Sequence, residues 1–290
     1  MSTLSPDAKT WIESTVKAYC AGHENTLQGP FDEPAWAEPL VGYARGTDVL
    51  WEAYKEHVGP FHYTPLELFS QTFPDVSVEA SELTVISWVL PQTEATKADN
   101  RKENKHPAER WARSRIMGEA FNNRLREHLV GALAQEEVPA VAPMLSPLFE
   151  SRRSERFVYA STWSERHAAY AAGLGTFGLC DGLITARGKA MRVGSVIAGL
   201  RLVPTPRPYA DDDHQAYCLF YSQGICGQCI PRCPVGALSK TGGHDKEKCR
   251  AHLTVTREHV RNEYGFEGYG CGLCQTGVPC ESKIPTKDDL

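Results

Sequence analysis

The sequence predicts an α+β protein in two parts: an N-terminal α/β domain over roughly residues 1–210 and a compact C-terminal domain over roughly residues 211–290. The run LTVISWVL at residues 83–90 is apolar throughout and rich in β-branched residues, which indicates a buried central strand. Strand-like pieces interleave with helical ones over residues 156–202, as is typical of a layered domain. Eight of the ten cysteines lie between residues 218 and 280, and they mark the second domain.

The first half of the chain should contribute two helices to the layered domain. Ser5-Pro6-Asp7 predicts a helix start, and residues 21–80 should be irregular with short helices. After a polar stretch over residues 92–106, Pro107 predicts the first residue of a long helix that reaches about Gln135. The core face of this helix should be Ile116, Ala120, Phe121, Leu125, Leu129 and Leu133.

Shorter elements should follow the long helix. Residues 138–141 form a candidate strand, and RFVYAS, GLITA and GSVIAGLRL, all within residues 156–202, are further candidates. Residues 164–172 predict a helix between these pieces. Pro204, Pro206 and Pro208, with the acidic run at residues 211–213, predict a linker before the cysteine-rich domain.

The composition is that of an ordinary globular protein, since 41% of the 290 residues are hydrophobic and 23% are charged. No apolar run approaches the roughly 20 residues that span a bilayer. The N-terminus has neither the pattern of an export signal nor a twin-arginine address. We therefore expect a cytoplasmic protein with no membrane partner. The net charge of −5 argues against nucleic acid as a partner.

The cysteine spacing is the strongest functional signal in the sequence. The segment CGQCIPRCP, which begins at Cys226, reproduces the last three cysteines and the proline of the bacterial ferredoxin run. In that run, closely spaced thiolates bind corners of one [4Fe–4S] cluster, and the last cysteine binds a second cluster. The remaining ligands must come from a distant motif, here Cys271, Cys274 and Cys280. The spacing therefore predicts a ferredoxin-like domain with two [4Fe–4S] clusters.

Two features depart from the ferredoxin run, and zinc is the alternative ligand. Gln223 stands where the first cysteine of the run would be, with Cys218 earlier in the chain, and the second motif ends C-x5-C rather than C-x3-C-P. Zinc ribbons separate their CxxC pairs by about 15–20 residues. In this chain 41 residues separate Cys229 from Cys271. Clusters are therefore favoured over zinc.

Several segments together resemble the superfamily of epoxyqueuosine reductases and reductive dehalogenases, which are corrinoid iron–sulfur proteins. They are AGLGTFGL at residues 172–179, GSVIAGLRLVPTP at 194–206, the CGQCIPRCPVGAL run, KCRAHLT around Cys249 and YGCGLCQ at 269–275. The resemblance covers about residues 80–282. It implies that one cluster takes Cys218, Cys226, Cys229 and Cys280, and that the other takes Cys233, Cys249, Cys271 and Cys274. Cys20 and Cys180 match no ligand position, and we expect small buried side chains there.

The resemblance also implies that the N-terminal domain is nitroreductase-like and binds cobalamin against Ala172, Gly173, Leu174, Gly175 and Thr176. In epoxyqueuosine reductases an aspartate near the cobalt donates a proton, and this chain has a tyrosine, Tyr159, at that position, which looks more like the dehalogenases. A phenol with a pKa of about 10 is a useful acid when a cation stabilises its anion.

We expect Arg166 to be that cation. The alternative for Tyr159 is an ordinary half-buried aromatic on a strand. The alternative for Glu165, Arg166 and His167 is a solvated first turn of a helix with an acid at the positive end.

These observations predict a cytoplasmic oxidoreductase. Electrons from an external donor such as ferredoxin or flavodoxin would pass through two clusters to a bound cobalamin, which would reduce an unidentified small-molecule substrate. Two other functions stay open. One is an electron-transfer protein without a corrinoid. The other is an epoxyqueuosine reductase acting on tRNA, which the missing C-terminal helical-repeat extension disfavours.

Overall fold

A computed structural model describes residues 7–209 and 213–290 and shows a mixed fold of helices and strands. The helices are α1 (Ala8–Cys20), α2 (Leu50–His57), α3 (Pro65–Thr72), α4 (Glu94–Lys102), α5 (Glu109–Gln135), α6 (Glu165–Ala171), α7 (Leu219–Gln223) and α8 (Lys246–Tyr264). The strands are β1 (Leu40–Arg45), β2 (Thr84–Pro91), β3 (Ala140–Val141), β4 (Ser151–Arg152), β5 (Ala160–Ser161), β6 (Gly175–Phe177), β7 (Leu183–Thr185), β8 (Met191–Ala198), β9 (Leu238–Ser239) and β10 (Gly243–His244). None of the helices in these ranges has both the length and the apolar character of a membrane span.

The central sheet has the order β1-β2-β8-β3, and each neighbouring pair is antiparallel. Strand β2 lies inside the sheet and is buried at every position, as its continuous apolar run predicts. Its residues alternate between two layers. Ile86 and Trp88 belong to the core that includes α1 and α5, whereas Val85 and Val89 belong to the core that includes α2, α3 and α6.

Helix α5 confirms the predicted long helix but only part of its predicted core face. Phe121, Leu125, Leu129 and Leu133 are fully buried. Ala120 was expected in the core and is exposed, and Ile116 is only half-buried. The helix is covered on more than one side, so its buried positions also include polar residues that a single apolar stripe does not predict.

Several elements were not predicted, among them two longer helices and one strand of the central sheet. The polar stretch over residues 92–106 contains α4, the region expected to be irregular contains β1, and α8 separates the two cysteine motifs. Conversely, RFVYAS is mostly irregular, since only β5 at its end is a strand. Within the predicted helix start, Ser5 and Pro6 lie outside the described residues.

The predicted linker begins as a segment fixed to the sheet domain. The backbone N–H of Thr205 donates to the carbonyl of Tyr43 at 2.9 Å, and Arg207 pairs with Asp48 at 2.6 Å. Residues 210–212 of this linker lie outside the described part of the chain. The proposed boundary near residue 210 therefore remains a prediction.

The cysteine-rich segment packs directly against the sheet domain. The backbone N–H of Lys189 donates to the carbonyl of Cys280 at 2.9 Å, and that of Ala190 donates to Glu281 at 3.2 Å. Gly188 has φ +78°, and a Cβ there would lie 2.1 Å from the Glu281 carbonyl oxygen. This close approach leaves no room for a side chain at position 188.

Candidate functional site

One group of four cysteines surrounds a small cavity next to the sheet domain. The cavity is lined by Cys218, Cys226, Cys229 and Cys280, together with Lys189. These are the four cysteines that the resemblance assigns to one cluster. Cys218 lies immediately before α7, whereas Gln223 is exposed at the end of that helix. The short helix thus brings Cys218, and not residue 223, to the cavity.

The other four cysteines of the same segment are Cys233, Cys249, Cys271 and Cys274, and they lie near one another. Cys249 and Cys233 are electrostatic neighbours of Cys271, which in turn neighbours Cys274. Gly272, between the last two, has φ +65°, and a Cβ there would lie 1.9 Å from the ring of Trp111 on α5. The loop therefore needs glycine at this point to approach α5.

Each group contains a thiol that burial makes a poor acid. Burial raises the pKa of Cys229 to about 12 and that of Cys271 to about 11. Thiolates at these positions need a cation, which iron would supply on binding. Within residues 7–209 and 213–290, no three His, Cys, Asp or Glu side chains converge closely enough to hold a single metal ion. A [4Fe–4S] cluster does not require such convergence, because each of its four cysteines binds a different iron atom.

Lys189 and Cys180 lie between the two groups, and neither was predicted to have a functional position. The Lys189 ammonium donates to the Cys180 sulfur at 3.3 Å, and Cys180 also interacts with Cys274. The interaction with Cys274 and the charge of Lys189 lower the pKa of Cys180. No local sequence signal marks this pair, because its significance depends on contacts with residues about 90 positions later.

A larger cavity of about 620 Å³ adjoins the cysteine-rich segment. Its size is typical of sites for small molecules and cofactors. Tyr159, Arg166, Phe177, Gly178 and Asp181 are among the residues that line it. The structure therefore brings both predicted catalytic residues to one cavity.

Tyr159 and Arg166 do not pair with each other in the way the sequence suggested. Arg250 of α8 lies over the Tyr159 ring at 4.4 Å, and Arg153 lies at 5.9 Å. The Arg166 side chain instead donates to the backbone carbonyl of Asp181. The cation beside the phenol therefore comes from the cysteine-rich segment, next to Cys249.

The predicted cobalamin segment Ala172–Thr176 is packed against protein. Ala172 is fully buried, and a Cβ on Gly173 would lie 2.9 Å from the carbonyl oxygen of Pro206. Leu174 belongs to the core, and Thr176 accepts a hydrogen bond from the backbone of Tyr217. Gly175 is paired in β6. Of the AGLGTFGL run, Phe177 and Gly178 reach the larger cavity.

Glu165 on α6 has a buried carboxylate and is one of the residues that line the larger cavity. Glu165 accepts from Ser195 Oγ at 2.6 Å and from Arg126 at 3.1 Å, and Trp163 donates to Ser195 at 3.0 Å. Burial raises the pKa of Glu165, while Arg126 opposes that shift. Arg126 is 1% exposed, and its Nε has no partner within the described structure. The solvated first turn considered for Glu165 is therefore wrong.

A polar chain joins the second cysteine group to the cavity. His244 hydrogen-bonds Asp181 at 3.0 Å and also bonds Cys249. Burial lowers the pKa of His244, but these two partners outweigh burial and raise it to about 9. Lys246 lies 3.3 Å from the same Asp181 carboxylate and also lines the cavity.

The residues present fit the expected cofactors by their chemistry. Eight cysteines in two groups of four match the ligand requirement of two [4Fe–4S] clusters. The adjoining cavity is lined by aromatic side chains, such as Phe149 and Phe177, together with polar ones, such as Arg115 and Asn123, as sites for cofactors commonly are.

Comparisons with known proteins identify relatives of this chain, although no family model matches it. An epoxyqueuosine reductase of Bacillus anthracis is 36% identical over 121 residues, which are 40% of this chain and 29% of that protein. The chain therefore spans less than a third of the length of this curated relative.

Two solved structures share the fold. The structure of epoxyqueuosine reductase from Bacillus subtilis gives a TM-score of 0.51 at 17% identity, covering 97% of this chain and 67% of the other. An epoxyqueuosine reductase with a tRNA-Tyr stem loop gives 0.51 at 16% identity, with the same coverage. Such identities show similarity of fold alone. The relatives are reductases by name, as expected of an oxidoreductase. The resemblance predicted from the cysteine spacing and the glycine-rich segment is confirmed for the epoxyqueuosine reductases, to which part of this chain is similar in sequence and nearly all of it in fold.

Proposed function

We propose that this chain is an iron–sulfur reductase that holds two [4Fe–4S] clusters in its cysteine groups and a corrinoid in the larger cavity. The observation that carries this proposal is the division of the eight cysteines into two groups, one of which is linked through His244 and Asp181 to the cavity. When bound, the clusters would supply one-electron transfer and the corrinoid would supply a strongly reducing cobalt centre.

The residues of the chain would supply position and protons. Tyr159 would donate the proton at the cavity, and Arg250, which lies over its ring at 4.4 Å, would be the neighbouring cation. Asp181 orients His244 towards Cys249.

The substrate proposal changes in the light of the relatives. An unidentified small molecule was expected, and nucleic acid was not. The relatives are epoxyqueuosine reductases, and one of them is known with a tRNA stem loop, so epoxyqueuosine in tRNA is the first substrate to test. A specific observation favours it: Arg153, Arg156 and Arg250 are exposed at or near the cavity despite the net charge of −5. Such local positive charge suits phosphate groups.

Iron, cobalt and tRNA measurements test the proposal together. The anaerobically reconstituted protein should contain about eight iron and eight sulfide per chain and bind one cobalamin. With dithionite as reductant it should convert epoxyqueuosine in tRNA. Stoichiometric zinc without iron would contradict the cluster proposal. Complete clusters without cobalamin binding would leave the alternative of an electron-transfer protein.

A salt series tests the tRNA proposal separately from the cofactors. Filter binding of tRNA should weaken steeply as salt rises, and the triple variant Arg153→Gln, Arg156→Gln, Arg250→Gln should bind less tRNA with a shallower salt dependence. A matched control replaces Arg261, which pairs with Glu267 at the end of α8 at 2.6 Å. Equal binding by the two variants and the unmodified protein would argue for a small-molecule substrate.

A further inference from the structure

Lys189 is a buried cation without a carboxylate partner. Its side chain belongs to a residue only 2% exposed, in the loop between β7 and β8. Within residues 7–209 and 213–290, no Asp or Glu lies in ion-pairing distance of its ammonium group, whose hydrogen bond goes to the Cys180 sulfur at 3.3 Å. Lys97 shows the contrast: it is also buried, and it pairs with Glu94 at 3.0 Å. A buried charge normally requires such a partner.

Cysteine side chains of both groups lie around Lys189. It lines the small cavity together with Cys229 and Cys280 of the first group, and its backbone N–H donates to the Cys280 carbonyl at 2.9 Å. Cys180, which accepts from its ammonium, packs in one buried cluster with Cys274 of the second group. The ammonium therefore lies beside the first group and reaches the second through Cys180.

Cys180 fixes the ammonium in this position. Its thiol accepts from Lys189 and interacts directly with Cys274, and it is 6% exposed. Cys180 thus connects Lys189 to the second group through two contacts, one with the Lys189 ammonium and one with Cys274. The interpretation of Cys180 as a mere apolar filler does not account for either contact.

We propose that Lys189, held by Cys180, is the counter-charge shared by the two cysteine groups and sets the reduction potentials of the clusters they hold. This inference rests on the clusters of the proposed function. Reduction adds a negative charge to a cluster that is already anionic with its four thiolates. A fixed positive charge in a low-dielectric surrounding stabilises the reduced form, and hydrogen bonds near the sulfurs act in the same direction. Lys189 and Cys180 are positioning residues that bind no iron themselves.

The test compares reduction potentials among variants with intact clusters. Lys189→Met keeps the length of the side chain and removes its charge, while Lys189→Arg keeps the charge. Cys180→Ala removes the sulfur that holds the ammonium. Lys97→Met is the matched control, because it removes a buried lysine that has a carboxylate partner. Each protein is reconstituted, its iron and sulfide are counted, and its clusters are titrated with dithionite and mediators under electron paramagnetic resonance.

The expected result is a shift of both potentials to more negative values in Lys189→Met, with smaller shifts in Lys189→Arg and none in Lys97→Met. Cys180→Ala should shift mainly the potential of the cluster bound by Cys274. Unchanged potentials in Lys189→Met with complete clusters would overturn the inference. If that variant fails to assemble clusters, unchanged potentials in both Cys180→Ala and Lys189→Arg would overturn it. Failure of the unmodified protein to bind iron would instead overturn the proposed function.

Discussion

Cys218 is the candidate ligand for which the structure adds most to the sequence. It is 8% exposed and lines the cavity of the first cysteine group, whereas Gln223 faces solvent. We predict that Cys218→Ala loses one ligand of that group, so iron content falls below about eight per chain or one cluster converts to a three-iron form. Iron analysis with electron paramagnetic resonance measures this loss. Cys20→Ala is the control, since Cys20 belongs to the core around α1. Normal iron in Cys218→Ala would assign that corner to another residue.

Tyr159 carries the proposed proton transfer. Tyr159→Phe keeps the ring under Arg250 but removes the hydroxyl, so cobalamin affinity should stay nearly constant. Turnover of the epoxyqueuosine tRNA should fall roughly 10²–10⁴-fold, as for loss of a general acid. Tyr221→Phe is the control, because Tyr221 is an exposed tyrosine near the cysteine groups. A fully active Tyr159→Phe protein would remove this residue from the mechanism.

Among single residues, the sequence indicates the candidate ligands but not the residues around them. The cysteines stand in the local spacing that two [4Fe–4S] clusters would require, so the motif alone proposes them. Lys189, His244 and Asp181 carry no such spacing, and each gains its role from a neighbour that is distant in sequence. The pairing of Tyr159 with Arg250 rather than Arg166 has the same cause, since α8 brings Arg250 across the chain to the cavity.

Helices and strands with a regular pattern of apolar residues could be predicted from the sequence, whereas those whose buried residues are polar could not. Strand β2 and helix α5 carry strong apolar patterns. Helix α4 does not, because its buried positions are Thr96, Lys97 and Asn100, which face the cysteine-rich segment. Asn100 donates to Thr276 at 3.0 Å, so this helix packs against the cysteine-rich segment through hydrogen bonds where other helices use apolar side chains. The RFVYAS segment fails as a strand near Val158, which has φ +62°, outside the strand region.

Helix α6 is joined to α5 by a buried ion pair. Arg126 is 1% exposed and pairs with Glu165 at 3.1 Å and with Glu119 at 3.4 Å, so Arg126→Met leaves the buried Glu165 carboxylate without its cation. We predict that the free energy of unfolding falls by about 3–5 kcal/mol. Adding Glu165→Gln to the variant should restore part of it, because the charge that needs a partner is then absent. Urea denaturation at pH 7 of the single and double variants measures both effects.

The matched control for this prediction lies two residues earlier on α5. Arg124 pairs with Glu24 at 2.6 Å but is 37% exposed, so Arg124→Met should cost about 0–1 kcal/mol. Comparable losses in the Arg124 and Arg126 variants would show that the buried pair contributes no more than a surface pair. A double variant less stable than Arg126→Met would contradict the proposed cause.

For the whole molecule, the antiparallel sheet and the cysteine-rich segment behave as parts of one packed structure. Backbone hydrogen bonds join Lys189 and Ala190 to Cys280 and Glu281, and Arg101 pairs with Glu281 at 2.6 Å. The cysteine content of the sequence was enough to divide the chain into two parts. It could not predict the contact between them, because the need for glycine at position 188 becomes clear only when Glu281 is known to lie against it. The cysteine-lined cavity and the larger cavity are consequently adjacent, and both are lined by Gly178.

Acid should destabilise the whole molecule through a buried histidine behind α6. His62 is 1% exposed, its Nε2 accepts from the backbone N–H of Ser164 at 3.2 Å, and burial lowers its pKa to about 4. The unfolded chain, with an ordinary histidine pKa of about 6.5, therefore binds a proton between pH 6.5 and 4 that the folded protein does not. Stability rises with pH wherever the unfolded state binds more protons, so the free energy of unfolding should fall on acidification through this window, by up to about 3 kcal/mol from His62.

Substitution of His62 isolates this contribution. His62→Gln can still accept from Ser164 through its amide oxygen but cannot titrate, so its unfolding free energy should depend less on pH between 6.5 and 4. Urea denaturation at several pH values within that range gives the comparison. His23→Gln serves as the control, because His23 is exposed. Burial also lowers the pKa of His167 on α6, so a residual slope of the same sign should persist in His62→Gln. If the unfolding free energy of His62→Gln depended on pH as strongly as that of the unmodified protein, burial of this imidazole would make no contribution to the pH dependence of stability.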